Sequence, residues 1–164
     1  MEKQKSTSCW ESTKTSTSSV ENFSHCPCCN EKSQLVSHVT VKHLVLENLQ
    51  NLVTSSPYYI CLNEDCNVVY FNKKDTHIFY KKDLSVPIWF KKDANPKYIC
   101  YCNKVTEKMI TNAILNKDAK NMKDIIELTG AMKNGKCLTK NPLGKCCGST
   151  IQKIIDHTLK MKIK

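Results

Sequence analysis

The chain has 164 residues, eleven of them cysteine, and a formal net charge of +10 in which all 25 basic residues are lysine. Met1 to Val20 is dominated by Lys, Glu, Ser and Thr and lacks the apolar stretch of an export signal, which argues against a secreted disulfide scaffold, and the expected compartment is the reducing cytoplasm. No apolar run approaches the roughly 20 residues needed to span a bilayer, and the absence of arginine, whose planar fork makes the commonest specific base contact, argues against specific nucleic-acid binding.

Residues 1–22 carry no periodic apolar face and read as a disordered tail, with Cys9 as an isolated thiol beside Trp10. The composition then changes. Cys26 and Cys29 form a C-x-x-C pair, and Cys61 and Cys66 lie across a short hairpin turn. Each spacing lets two sulfurs face one ion, so four thiolates predict a closed tetrahedral zinc site that stabilises a domain with little core of its own. Cys28 and His25 are alternative donors. Between the pairs, Val41, Leu44, Val45, Leu49 and Leu52 predict a helix over 41–53 with Thr40 as its N-cap. His38 and His43 lie near it and are left out of the metal set. Residues 58–60, 68–71, 78–80 and 86–90 are short β-rich runs between polar turns, and together they read as a small zinc-ribbon-like antiparallel sheet.

Residues 91–97 are charged and broken by Pro96, and read as a linker. Beyond it, Thr106-Glu107 opens one helix, Asn121 opens a second that Gly130 closes, and a third begins near Gly148-Ser149. The expected architecture is α+β: a zinc-binding domain with one helix over 23–92, then a small three-helix domain over 98–164.

That second domain holds another thiol nest. Cys100 and Cys102 are a C-x-C pair; Cys137, Cys146 and Cys147 return about 35 residues later, on loops. Neither half is a zinc knuckle. Pairs supplied from separate loops suit a [2Fe-2S] rhomb, which is wider than one ion and takes two thiolates on each iron. Lys104, Lys136 and Lys145, with helix N-termini expected after Cys102 and Cys147, would offset its negative charge.

Cys100-Tyr101-Cys102-Asn103-Lys104, Thr129-Gly130-Ala131, Cys137 and Asn141-Pro142 through Cys146-Cys147 resemble the N-terminal domain of CopZ-type copper chaperones, which pairs a zinc site with a [2Fe-2S] cluster. The likeness extends upstream through Cys26-Pro27, Cys29 and the Cys61 to Cys66 pair, and the second half also resembles, more loosely, bacterioferritin-associated ferredoxin. The resemblance implies Cys100, Cys102, Cys137 and Cys147 on the cluster, with Cys146 as the alternative to Cys147. It implies Cys26, Cys29, Cys61 and Cys66 on zinc, with Cys28 as alternative. It further implies a one-electron redox role in copper or other soft-metal handling, such as reducing Cu2+ to Cu+, with Cu+ as a further bound ion. Chaperones of that family continue into a ferredoxin-like copper-binding domain, whereas this sequence ends at Lys164; a separate copper chaperone or a copper-transporting ATPase is the expected partner. Two other readings remain: a ferredoxin-like redox partner of another enzyme or of iron storage, and a two-zinc module that binds protein or nucleic acid. No nucleophile, base and orienting group come together, so enzyme chemistry of the conventional kind is not expected.

Overall fold

The structure is a computed structural model that describes residues 21–163; Cys9 and most of the expected tail lie outside the described residues. Residues 21 and 22, expected to lie in the tail, are held against the sheet: the Glu21 carbonyl accepts the Tyr59 hydroxyl at 3.0 Å and the Asn22 carbonyl accepts the Leu35 amide at 3.0 Å.

Five antiparallel strands form the first half in the order β1 (Phe23–His25), β2 (Lys32–Val36), β3 (Tyr58–Cys61), β4 (Val68–Asn72) and β5 (Ile78–Tyr80). β3 alternates cleanly between two buried faces. Tyr58 and Ile60 enter a core with Val41, Leu44, Val45 and Phe79, while Tyr59 and Cys61 enter a smaller cluster with Cys26, Cys66 and Phe71. The pairing of β4 with β5 shifts register between Val68 and Tyr70. That irregularity puts the adjacent Val69 and Tyr70 into the same large core, while Val68 and Phe71 join the cysteine cluster.

The helix between the thiol pairs is shorter and earlier than its apolar spacing predicts. α1 spans His38–Leu44 and is capped by Ser37, whose hydroxyl accepts the Val39 amide at 3.2 Å. Val45 leaves the helix to bridge Leu84, so Glu47–Leu52 forms a separate 3-10 turn. Thr40 is no cap: its hydroxyl donates to the Leu138 carbonyl at 2.7 Å, 98 residues away. Residues 86–90 are not a strand either. Pro87 has no amide to give a ladder, and the Trp89 amide is spent on the Tyr101 hydroxyl at 2.9 Å.

The second half opens with a hairpin, β6 (Tyr98–Cys100) and β7 (Val105–Thr106), that the sequence reading lacks. The three expected helices follow: α2 (Glu107–Asn116), α3 (Met122–Thr129) and, after the four-residue α4 (Cys137–Lys140), α5 (Gly148–Lys162). Thr106 and Asn121 cap α2 and α3 as expected, and Gly130, at φ 76°, ends α3 in the left-handed conformation. Ile110, Ala113, Ile114, Ile125, Ile151 and Ile155 pack between the helices. Among the described residues, no helix is long and apolar enough to cross a membrane.

The two halves are knitted together. α1 lies against α4, Leu143 packs on the core of the sheet, and Trp89 packs on the helical core. The Tyr70 hydroxyl, buried and pushed well up in pKa by that burial, donates to the Pro142 carbonyl at 2.7 Å. Gly144, at φ 65°, passes so close to α1 that a Cβ there would stand 2.6 Å from the Thr40 hydroxyl oxygen. Tyr70→Phe leaves the Pro142 carbonyl buried without its donor. It is expected to lower stability by about 1–3 kcal/mol, read by thermal or denaturant unfolding, and to loosen the 141–144 loop, read by faster amide exchange there.

Candidate metal centres

The first thiol set is assembled by two turns. In the β1–β2 turn the Cys26 amide donates to the Glu31 carbonyl and the Asn30 amide to the Cys26 carbonyl, each at 2.9 Å, with Asn30 in the left-handed region at φ 59°. In the β3–β4 turn the Cys66 amide reaches the Asn63 carbonyl at 3.4 Å, while the Asn63 side chain accepts the Asp65 amide at 2.9 Å. The result brings Cys26, Cys29, Cys61 and Cys66 together with all four sulfurs within 4.8 Å of one another. Among the described residues this is the one group of metal-ligating side chains that closes so tightly. A tetrahedral ion with metal–sulfur bonds of about 2.3 Å sets its sulfurs about 3.8 Å apart. The Cys26–Cys66 and Cys29–Cys61 separations are 4.0 and 3.6 Å, so the donor set fits one such ion. Cys28 is exposed and His25 is exposed; neither belongs to the group.

Burial pushes the Cys26 and Cys61 thiols up, whereas Cys29, although burial works against it, is brought down to about 7 by the Glu31 amide and neighbouring thiols. A cation closes the site from behind. Lys91 sits in the segment expected to be a solvated linker, yet it is only 2 % exposed. Its ammonium donates to the Asn63 carbonyl at 2.7 Å and the Val68 carbonyl at 3.0 Å. Burial works to discharge it, and the facing thiolates of Cys61, Cys66, Cys26 and Cys29 oppose that. The sequence carried no local signal for this role, because one lysine in a run of lysine, aspartate and proline looks like any solvated charge.

The second set is wider. Cys102 and Cys137 stand 3.7 Å apart, the separation expected of two thiolates on one tetrahedral metal. Cys100 and Cys147 are buried beside each other, Cys147 at 3 % exposure. The Cys100 sulfur accepts the Met132 amide at 3.4 Å and the Asn103 side-chain amide at 3.8 Å. Burial acts to raise the Cys100 thiol, but these donors bring it below the ordinary thiol value, while burial and Cys100 itself push Cys147 up. Four sulfurs spread beyond the reach of one ion, with close pairs inside the set, fit a two-metal group. Cys146 is exposed, whereas Cys147 is buried beside Cys100, which favours Cys147 as the inner thiol. One expected helix terminus is displaced: α2 starts at Glu107, beyond β7, whereas α5 starts directly after Cys147. Lys104, Lys136 and Lys145 are exposed at the rim, as is Lys140.

Tyr101, between Cys100 and Cys102, ties the two centres together. Its hydroxyl donates to the Pro87 carbonyl at 2.6 Å and accepts the Trp89 amide, two residues from Lys91.

A fold with two separate cysteine nests, one compact and one spread, defines a thiolate metalloprotein with two centres. Comparison with known proteins agrees part by part. A family model described as a zinc-binding domain of CopZ type matches residues 23–85, and one described as a BFD-like [2Fe-2S]-binding domain matches residues 98–157. The copper chaperone CopZ of Archaeoglobus fulgidus is 37 % identical over 122 residues, covering 74 % of this chain and 57 % of that protein. The X-ray structure of the N-terminal domain of that CopZ superposes with a TM-score of 0.67 at 36 % identity, covering 80 % of this chain and 97 % of that domain. The chain belongs to the family of CopZ-type N-terminal domains, a zinc-binding domain followed by a BFD-like [2Fe-2S]-binding domain.

Two measurements follow from the first centre. Lys91→Met keeps the apolar stem but removes the ammonium that faces the thiolates. It is expected to weaken metal retention by about 10- to 100-fold, the usual effect of losing an outer partner of a metal site, read as faster transfer of the metal to a chromogenic chelator. Metal uptake at pH 7 is expected to release at least two protons, from Cys26 and Cys61, whose raised pKa values keep them protonated when metal-free. Affinity then falls as the pH is lowered, and an indicator dye in weak buffer reads the release.

Proposed function

We propose that this chain is a cytoplasmic zinc and [2Fe-2S] metalloprotein with a one-electron role in copper or other soft-metal handling, reducing Cu2+ to Cu+. Zinc is held by Cys26, Cys29, Cys61 and Cys66 in a domain over 23–92, and the cluster by Cys100, Cys102, Cys137 and Cys147 in a domain over 98–164. The observation that carries this reading is the contrast between the two nests: a compact four-sulfur set without an open position beside a wider one at a lysine-rich surface. The first arrangement suits a structural ion. The second suits a redox group reached from outside.

When bound, the cluster supplies one exchangeable electron, the number by which Cu2+ and Cu+ differ. The protein's own residues set the conditions. The Met132 and Asn103 amides donate to Cys100 and favour its thiolate. The N-terminus of α5, directly after Cys147, and the rim lysines favour added negative charge. Cys102 and Cys137 are half-buried, so the approach to the nest is from their side. The membership of a family whose curated relative is a copper chaperone supports copper as the ion handled. A copper-transporting ATPase or a separate copper chaperone is the partner on this reading.

Anaerobically purified protein is expected to hold about two iron and one zinc per chain, with visible colour that dithionite bleaches. The reduced protein is then expected to convert about one Cu2+ per chain to Cu+, trapped by a Cu+-selective chromogenic chelator. Cys100→Ser is expected to lose iron and colour while keeping zinc. Colourless protein holding two zinc ions, even after cluster reconstitution, overturns the redox reading and leaves a two-zinc binding module.

The exposed Lys104, Lys136, Lys140 and Lys145 around the second nest favour one further reading, a ferredoxin-like electron carrier for an acidic protein partner. Transfer to such a partner would slow steeply with added salt, whereas transfer to copper would not need those lysines.

A further inference from the structure

Two donors reach Cys100, and both depend on one loop. The Met132 amide donates to its sulfur at 3.4 Å and the Asn103 side-chain amide at 3.8 Å. Asn103 in turn accepts from the side-chain amide of Asn134. Residues 133–136 are exposed, while Ala131 before them is fully buried and Cys137 after them is half-buried. Left-handed conformations at Met132 and Gly135, φ 64° and 56°, bend the loop. The polarity of the longer relay is fixed by chemistry. A thiolate accepts hydrogen bonds and cannot donate, so Asn103 must turn its NH2 to Cys100 and its carbonyl to Asn134, and Asn134 must then offer an NH2 as well. The relay thus starts at a residue in contact with solvent and ends on a sulfur whose residue is 1 % exposed.

We propose that Asn134 is a positioning residue for the second centre: by holding the Asn103 carbonyl it keeps the Asn103 amide on Cys100, and so sets the reduction potential of the group held there. The inference rests on the [2Fe-2S] reading given above. An added electron makes such a group more negative, and donors to its thiolates favour that state, so each donor retained raises the potential. Removing the Asn103 donor, or turning it away, lowers the potential. Asn134 acts through Asn103, so its effect depends on which group it offers rather than on its charge alone.

The test uses the full chain purified anaerobically, with iron and zinc assayed first. The midpoint potential is then read by dye-mediated titration of the visible bands in about 1 M salt, where the Debye length is about 3 Å and exposed charges are screened. Asn103→Leu, which keeps the bulk and removes the donor, is expected to lower the equilibrium constant for one-electron reduction about tenfold, equivalent to about 59 mV. Asn134→Asp offers only acceptors, so the Asn103 amide turns to it and the Asn103 carbonyl turns to Cys100; a shift of the same sign and similar size is expected. Lys133→Gln makes the same change of net charge in the same exposed loop but leaves the relay intact, and is expected to shift the constant less than about twofold. In the double variant of Asn103→Leu with Asn134→Asp the two effects are not expected to add, because both break one chain of hydrogen bonds. If Asn103→Leu does not hold iron, the comparison of Asn134→Asp with Lys133→Gln decides. The proposal is overturned if Asn134→Asp shifts the potential no more than Lys133→Gln, if an iron-bearing Asn103→Leu matches the parent, or if the double variant shows the sum of the single effects. A parent without iron overturns the cluster reading and this inference together, whereas an iron-bearing parent with unmoved variants overturns this inference alone.

Discussion

Four thiolates held in a protein interior carry more negative charge than one divalent ion cancels, and burying the remainder in a medium of low dielectric is costly. The first half is built around that constraint. Its strands are short, three to five residues each, and one face of β3 and β4 is given over to cysteine and aromatic side chains rather than a deep aliphatic core. A metal held by the four thiolates would add the cohesion that a small core lacks. Lys91 offsets part of the excess charge, and because its chain neighbours Trp89 and Phe90 pack on opposite halves, the same residue fixes where the second half begins. Electrostatics at one centre thereby becomes geometry at the other.

The second centre meets the same constraint in another way. Its charge is spread over a wider set of sulfurs, faces the N-terminus of α5 and lies near the surface, where lysines and water both help. The Met132 amide that donates to Cys100 comes from backbone bent into left-handed conformations at Gly130 and Met132. The difference between the nests is chemical as well as geometric. The compact site is largely buried, whereas the wider one opens on an exposed, lysine-bearing rim.

The thiol pairs, the three long helices of the second half and their caps were legible because each depends on local sequence. Thr106 and Asn121 cap the helices that follow them, and Gly130 ends α3, whatever the rest of the chain does. Features set by distant contacts were not legible. The apolar spacing over 41–53 is a genuine helical pattern, but the bridge from Val45 to Leu84 outweighs it. Residues 86–90 look like a strand, but Pro87 has no amide and the Trp89 amide is claimed by Tyr101. Lys91 reads as linker because burial of a lysine depends on carbonyls 23 and 28 residues away. β1 and β2 were missed because Phe23–His25 and Lys32–Val36 are mostly polar, and their pairing follows from the knuckle turn between them.

The loop from Cys137 to Cys147 rests on the other half of the molecule. Leu138 accepts from Thr40 of α1, Pro142 accepts from Tyr70 of β4, and Gly144 threads past Thr40 where no side chain would pass. Its seat is therefore made by a part of the chain that is translated first. If both nests take the metals proposed above, this would give maturation a direction in time: the sheet would close on its ion first, and the later thiols would acquire their spacing by settling onto that surface. A cell that is short of the first metal would then accumulate chains unable to receive the second, so the supply of one element would gate the use of another.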